Sequence, residues 1–428
     1  MNHAKLGFYR SATLAGCLAA VGLASLAGSA HAGDTSKDSK VVVEKKAEES
    51  RYKFYGHLDT GFTYNPDNNS SNENFGRLFD DRINEPLLNQ LTVTAERALD
   101  PKATGFDWGF KVQGLFGSDA RFIHTFGVFD NTMHEIVQPD LLEAYVNLHL
   151  PYLTAGGMDL KIGQFVTLEG AEVIDATGNF FYSHSMIFNF GIPLKHTGIM
   201  LTTHATSWLD LYTGVVRGVN AGIDDNNDVE AFHGGIGLNF FGGKLTVLAT
   251  TSIGAENDAN NEQFGVHTNS AIRQLHDVVI TYKITDKLTT IIDANYGQDD
   301  GFHAEWYGVA NYLTYAVNDW LTVGARAEVW RDDDGFAALQ SGNNEDFVKL
   351  QRGMFDNLDR DTKFGSDSTY YGFTVGANIK VPGLSKRITS LVIRPELRYD
   401  TAVGGTARYN DDAEKNQFTA AIDVVLSF

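Results

Sequence analysis

The sequence predicts an all-β fold, a transmembrane antiparallel β-barrel of about 16 strands with an inward-folded third outside loop. Three observations predict this fold. The chain begins with a secretory signal, and it ends in an amphipathic strand whose last residue is the aromatic Phe428. Between these ends, strand-like segments are joined by connections that are alternately long and short.

The first 32 residues have the features of a secretory signal peptide. Basic residues precede a stretch of small apolar residues, and Ala30, His31 and Ala32 form a small-x-small cleavage site. Cleavage after Ala32 would remove Cys17, the chain's one cysteine. The mature chain could then form no disulfide and no cysteine-ligated metal site. Residues 33–50 are charged and are predicted to be a short periplasmic stub, which leaves residues 51–428 for the barrel.

Composition narrows the classes of protein that remain. After residue 32 no apolar run approaches the roughly 18 residues that a membrane helix requires. Because only helices and closed barrels satisfy all backbone hydrogen bonds in lipid, a secreted membrane protein of this kind must be a barrel. The net charge of -20 argues against nucleic acid as a partner.

The final segment shows the strand pattern most plainly. Phe418, Ile422 and Leu426 share one apolar face, and Gln417 and Asp423 lie on the other, as expected for a strand with a lipid face and a watery face. The predicted strands are 51–64, 86–98, 106–117, 139–149, 158–167, 193–205, 207–219, 230–240, 243–254, 274–284, 287–297, 302–317, 319–331, 370–381, 387–399 and 417–428.

The connections between these strands indicate the orientation in the membrane. Except at residues 298–301, long connections follow odd-numbered strands and short ones follow even-numbered strands, as in outer-membrane barrels with long outside loops and short periplasmic turns. We therefore predict a bacterial outer-membrane protein with both termini in the periplasm. Its expected partners are outer-membrane lipid and lipopolysaccharide, and the barrel-assembly machinery through the strand that ends in Phe428. A homotrimer is left open.

A barrel of this size has room for an aqueous channel, which predicts passive passage of small hydrophilic solutes or ions. The sequence implies no catalytic residue, no cofactor and no metal. The connection at residues 167–192 is too apolar and aromatic to stand in water, so we expect it to pack in the lumen and narrow the pore.

Charged residues in this connection and on nearby strands are the candidate constriction. Facing acidic and basic rows would create a transverse field that orients polar solutes. The alternative is that these charges pair with one another as a structural ladder. The candidate pore-lining residues are Glu169, Glu172, Asp175, His184, Arg326, Glu328, Arg394, Glu396 and Arg398.

Several motifs resemble one known family. They are Lys161-Ile162-Gly163-Gln164-Phe165, the aromatic run from Asn179 to Ser185, His196-Thr197-Gly198, and the run from Arg394 to Asp400. In order and spacing they resemble the putative β-barrel porin-2 (OmpL-like) family of bacterial outer-membrane porins. The resemblance implies an outer-membrane channel. His184 departs from the arginine expected in the aromatic run.

Two other functions remain as alternatives. A non-conducting barrel that acts as an adhesin would have a blocked lumen and a partner for the segment from Asp332 to Thr369. A barrel hydrolase would need an ordered catalytic set, and the adjacent His184 and Ser185 do not supply one. Selectivity is also open, because the acidic net charge favours cations and the inward arginines favour anions.

Overall fold

The computed structural model describes residues 50–100, 103–130, 135–258, 262, 266–338, 367–385, 387–405 and 407–428. The strands are β1 Tyr52–Tyr64, β2 Pro86–Arg97, β3 Asp107–Gly117, β4 Gln138–Leu150, β5 Met158–Val166, β6 Lys195–Thr206, β7 Leu209–Val216, β8 Ala231–Phe240, β9 Leu245–Ala255, β10 Ile272–Lys283, β11 Leu288–Asp299, β12 Ala304–Ala316, β13 Leu321–Asp332, β14 Ser368–Lys380, β15 Ser390–Val403 and β16 Asn416–Ser427.

These strands form one closed antiparallel barrel of 16 strands, in which each strand pairs with its neighbours in sequence and β1 pairs with β16. The closure continues past β16, because Phe428 and Gly56 exchange backbone hydrogen bonds of 3.0 and 3.1 Å. The predicted all-β barrel is confirmed. Each predicted segment overlaps an observed strand, and the ends differ by up to four residues, as at β15, which continues to Val403.

Side chains alternate between two faces along the strands, as the sequence pattern predicts. On β15, Leu397 and Tyr399 are exposed on the outer face, whereas Arg394, Glu396 and Arg398 are buried on the inner face. Apolar residues on the outer face suit contact with lipid, where a charge at the bilayer midplane would cost about 2–4 kcal/mol.

A hydrophobic core lies towards the end of the barrel where the long loops emerge, here called the long-loop end. It combines loop residues such as Phe79, Phe122 and Phe188 with Trp306 and Trp330 from the inner face of the barrel. The loops therefore supply much of the packing.

Helical structure is limited to short turns. They are α1 (Ala120–Ile123), the 3-10 turn Ala176–Gly178 and the π turn Ile187–Gly191. Within the part of the chain that the structure describes, no helix is long and apolar enough to cross a membrane.

Two predictions concern residues outside the described ranges. The signal peptide and all of the stub except residue 50 fall there, as does most of the segment from Asp332 to Thr369 that the adhesin alternative invoked.

Candidate channel constriction

The connection between β5 and β6, residues 167–194, is called the L3 segment below. Its apolar side chains are buried, including Phe181, Met186, Ile187, Phe188 and Phe190. Burying a side chain of this size contributes about 1.5–3 kcal/mol. The aromatic side chains of this segment are therefore packed, as its composition predicted.

The first residues of the L3 segment are fixed to β9, β10 and β11. Glu169 Oε1 accepts a hydrogen bond of 2.8 Å from the Ser252 hydroxyl. The next two backbone N–H groups, of Gly170 and Ala171, donate to carboxylates that project from β10 and β11, each at 2.9 Å. These two acceptors are Asp277 and Asp293.

Further along, Glu172 and Arg326 form a buried ion pair. Arg326 Nη1 lies 2.7 Å from Glu172 Oε1 and also donates to the Ser183 carbonyl at 2.7 Å. The arginine, which belongs to β13, thereby joins two parts of the L3 segment. Its own side chain is closed off from solvent, with an exposed fraction of 1%.

The turn at Ala176–Gly178 is held by β15. Arg394 Nη1 donates to the carbonyls of Ala176 and Asn179 at 2.9 and 2.8 Å. The same guanidinium forms a bidentate pair with Asp423 of β16. Asp175, just before the turn, is the most exposed of the predicted constriction residues, with 30% of its side chain accessible.

Two glutamates of the inner face accept hydrogen bonds from the L3 backbone. Glu396 accepts from the N–H groups of Tyr182 and Ser183 at 2.9 and 3.2 Å. Glu328 accepts from the Met186 N–H at 2.7 Å. Backbone donors that would otherwise be unpaired in this buried region are thus satisfied.

Arg398 of β15 contacts His184 of the L3 segment. Arg398 Nη1 donates to the His184 carbonyl at 2.5 Å, and its Nε donates to Asp400 at 2.8 Å. The imidazole of His184 packs on Phe79 and Phe188, with ring centroids 4.8 and 4.1 Å away. A histidine at this position therefore serves as an aromatic packing residue.

Glycines on the inner face leave room for two aromatic rings of the L3 segment. A Cβ added to Gly61 would lie 2.3 Å from the ring of Tyr182, and one added to Gly324 would lie 2.4 Å from Phe180. Any side chain at these positions would displace the L3 segment.

Burial shifts the pKa of Glu169 and that of His184 in the L3 segment. It raises the pKa of Glu169 to about 8 and lowers the pKa of His184 to about 3, so His184 is neutral at pH 7. Burial alone would raise the pKa of Asp175, but His57 and hydrogen bonds from Thr177 and Gln113 bring it below its usual range.

The structure thus brings the predicted residues of the L3 segment against predicted residues of β13 and β15, but in contacts that fix the chain. Glu169 and Asp175 are exceptions. The partner of Glu169 lies on β9, and the Asp175 carboxylate accepts a hydrogen bond from Gln113 of β3 and lies 3.6 Å from His57 of β1. Except for Asp175, the predicted residues are all less than 10% exposed.

Sequence reasoning missed a second loop that contributes to this region. Residues 73–83, in the loop between β1 and β2, carry Arg77, which pairs with Asp80 at 2.5 Å and with Asp400 at 2.7 Å. The neighbouring Leu78 and Phe79 are buried. The available signal was the group of apolar residues Phe75, Leu78, Phe79 and Ile83 within a mostly polar loop.

Two polar residues of β2 also contact the L3 segment. Asn89 accepts a hydrogen bond from the Tyr182 hydroxyl, and Gln90 forms hydrogen bonds with the backbone of Ile174 and Ala176. Neither residue was predicted. In the described ranges, no group of three or more His, Cys, Asp or Glu residues is placed to hold a metal ion.

This architecture has relatives among known proteins. The profile of the family described as "Putative beta-barrel porin-2, OmpL-like" matches residues 51–428. None of the curated proteins matches the chain.

Solved outer-membrane structures share the fold. The outer membrane channel DcaP of Acinetobacter baumannii is 12% identical with a TM-score of 0.52, and the match covers 88% of this chain and 97% of that one. The anion-selective porin of Comamonas acidovorans is 11% identical with a TM-score of 0.54, covering 88% and 99%. The trimer form of Vibrio cholerae OmpT is 14% identical with a TM-score of 0.50, also covering 88% and 99%. At these identities the similarity concerns the fold alone.

Proposed function

The chain belongs to the putative beta-barrel porin-2, OmpL-like family, and from this premise we propose that it is an outer-membrane porin whose passive channel is narrowed by the L3 segment. The channel admits small hydrophilic solutes or ions. The observation that carries the proposal is the closed 16-strand barrel with a charged and polar inner face.

The contacts of the L3 segment support its role as the constriction. Its residues hydrogen-bond to side chains of β2, β3, β9, β10, β11, β13 and β15, which come from all around the barrel. A loop standing above the opening would meet the ends of a few neighbouring strands. Contacts this widely distributed favour a loop that crosses the lumen.

The charged residues of the constriction act mainly by anchoring this loop. Arg326, Arg394 and Arg398 are each paired with a carboxylate and also donate to L3 carbonyls. Their charges are therefore largely compensated. Asp175 is the predicted residue with the greatest access to solvent and is the one we expect to meet passing solutes.

Orientation and assembly follow from the same proposal. Both termini face the periplasm, because the short connections at the terminal end of the barrel match periplasmic turns. Assembly as a homotrimer is in keeping with the trimer form of the structurally similar OmpT.

We propose no enzymatic activity. His184 and Ser185, the adjacent pair that a hydrolase would need to expose, are both buried. Detergent-solubilised protein tested against chromogenic esters and a casein substrate should show no hydrolysis above a heat-denatured control.

Liposome swelling tests the channel directly. Liposomes that contain the purified barrel should swell in isotonic arabinose and more slowly in a tetrasaccharide, because a narrowed lumen discriminates by size. Swelling in arabinose no faster than in protein-free liposomes would contradict the porin and favour the adhesin alternative.

Deleting residues 173–189 tests the constriction. The deletion should raise single-channel conductance and admit the tetrasaccharide, whereas shortening another outside loop at residues 222–228 should change neither. Heat-modifiable migration on gels would confirm that both variants are folded. A folded deletion variant with unchanged conductance and size limit would refute the role of the L3 segment.

A further inference from the structure

Lys161, a lysine of the inner face, has surroundings that differ from those of the inner-face arginines. Lys161 lies on β5, where Asn147 of β4 and Met200 of β6 are its partners in register. The adjacent Ile162 is exposed on the outer face, so Lys161 points to the inner one. Its side chain is partly exposed.

Aromatic rings hold the Lys161 ammonium. Nζ lies 4.6 Å from the ring centroid of Tyr145 and 5.4 Å from that of Phe165. Both distances are within the range of cation–π attraction. The rings fix the position of the charge without neutralising it.

Lys161 has no acidic partner. Among the residues that the structure describes, no carboxylate oxygen lies within 4.0 Å of its Nζ. Two nearby acids, Glu143 of β4 and Asp159 of β5 itself, each have another partner, since Glu143 pairs with Lys111 and Asp159 lies 2.7 Å from His149. By contrast, Arg326, Arg394 and Arg398 all have carboxylate partners.

The surroundings of Lys161 are aromatic and apolar. Phe165, Met200 and Val216 form a hydrophobic cluster, against which the partly buried Tyr145 and Tyr212 pack.

We propose that Lys161 is the charged end of a binding subsite for organic anions that carry an apolar body. The acid group accepts a hydrogen bond from Lys161 Nζ. The apolar body lies on the partly exposed rings of Tyr145 and Tyr212. The subsite rests on the proposed channel function, because it places a solute-binding position on the wall of the conduction path.

Benzoate, with benzamide as its neutral counterpart, is a suitable probe. Added to a single channel conducting KCl in a planar bilayer, benzoate should interrupt the current in a saturable manner, and benzamide should not. In Lys161→Gln the benzoate concentration for half-maximal interruption should rise at least about tenfold, the change expected when one charge-assisted contact is lost.

Two further variants complete the test. Lys283→Gln, which removes an exposed lysine at the far end of β10, should respond to benzoate as the wild type does. Tyr145→Leu should weaken interruption by benzoate more than interruption by acetate, since it removes a ring and keeps the charge. Heat-modifiable migration reports folding of each variant.

The outcomes separate the two proposals. A channel that conducts KCl but ignores benzoate, or a folded Lys161→Gln variant that responds like the wild type, overturns the subsite and leaves the channel intact. An inserted barrel that conducts no KCl overturns the proposed function itself.

Discussion

Replacing Arg394 by methionine should loosen the turn at Ala176–Gly178. The guanidinium donates to the carbonyls of Ala176 and Asn179. A hydrogen bond from a charged donor contributes about 1.5–3 kcal/mol, so the two together hold the turn with about 3–6 kcal/mol. That free energy corresponds to a factor of ~10²–10⁴ in the population of the detached turn.

Arg394→Met also leaves Asp423 as a buried carboxylate without its partner, which by itself costs about 3–5 kcal/mol. The double variant Arg394→Met with Asp423→Asn removes that charge and leaves two changes, the loss of the L3 contacts and the loss of the longer 4.0 Å contact from Arg394 to Asp59. Arg331→Met is the matched control, because Arg331 pairs with Asp333 and the exposed Asp367 and has no contact with the L3 segment.

The assay is single-channel recording in a planar bilayer. The wild type should hold one main current level, and the double variant should visit a second, higher level at least tenfold more often, as the turn leaves the lumen. Arg331→Met should retain the wild-type level. A folded double variant that stays at the wild-type level, without added transitions, would refute the anchoring role of Arg394.

The remaining predictions concern ionisation, accessibility, processing and closure. Burial raises the pKa of Glu169 to about 8, so the folded state binds the proton more tightly than the unfolded chain. Stability against urea should therefore fall as pH rises from about 4.5 to 8 and then level off, and Glu169→Gln should flatten this slope in urea titrations at several pH values. Because no cysteine follows Cys17, Asp175→Cys should react with a cationic methanethiosulfonate and change the current, whereas His184→Cys should not; equal reactivity would contradict the burial of His184. N-terminal sequencing of protein from outer membranes should begin at residue 33, and a start at residue 1 would oppose signal cleavage. Removing Phe428 deletes its two backbone hydrogen bonds to Gly56 and should lower the yield of heat-modifiable barrel in outer membranes; an unchanged yield would oppose its role in assembly.

The strands could be predicted because their signal is local. On β16, Phe418 and Ile422 alternate with Gln417, Thr419 and Asp423, and the structure exposes the first pair and buries the others. A period of two places alternate residues on opposite faces wherever one face is apolar. The predicted strand ends were less exact. At β15 the predicted strand ended at residue 399, whereas the observed strand continues to Val403.

The anchoring of the L3 segment could be predicted only in outline. Its aromatic residues indicated packing, but Glu396 and Arg394 bind backbone N–H and C=O groups, which are the same in every sequence. The contact between Arg77 and Asp400 joins residues 323 positions apart. No local pattern encodes such a distant pairing, because it depends on how the closed barrel brings the loop between β1 and β2 to β15.

The most direct test of the central claim is single-channel recording of the wild-type barrel in a planar bilayer, with a salt gradient across it. The channel function predicts discrete upward current steps, each a stable open pore, and a reversal potential whose sign reports cation or anion preference. Folded, heat-modifiable protein that inserts stably and yields no current steps would contradict a conducting channel.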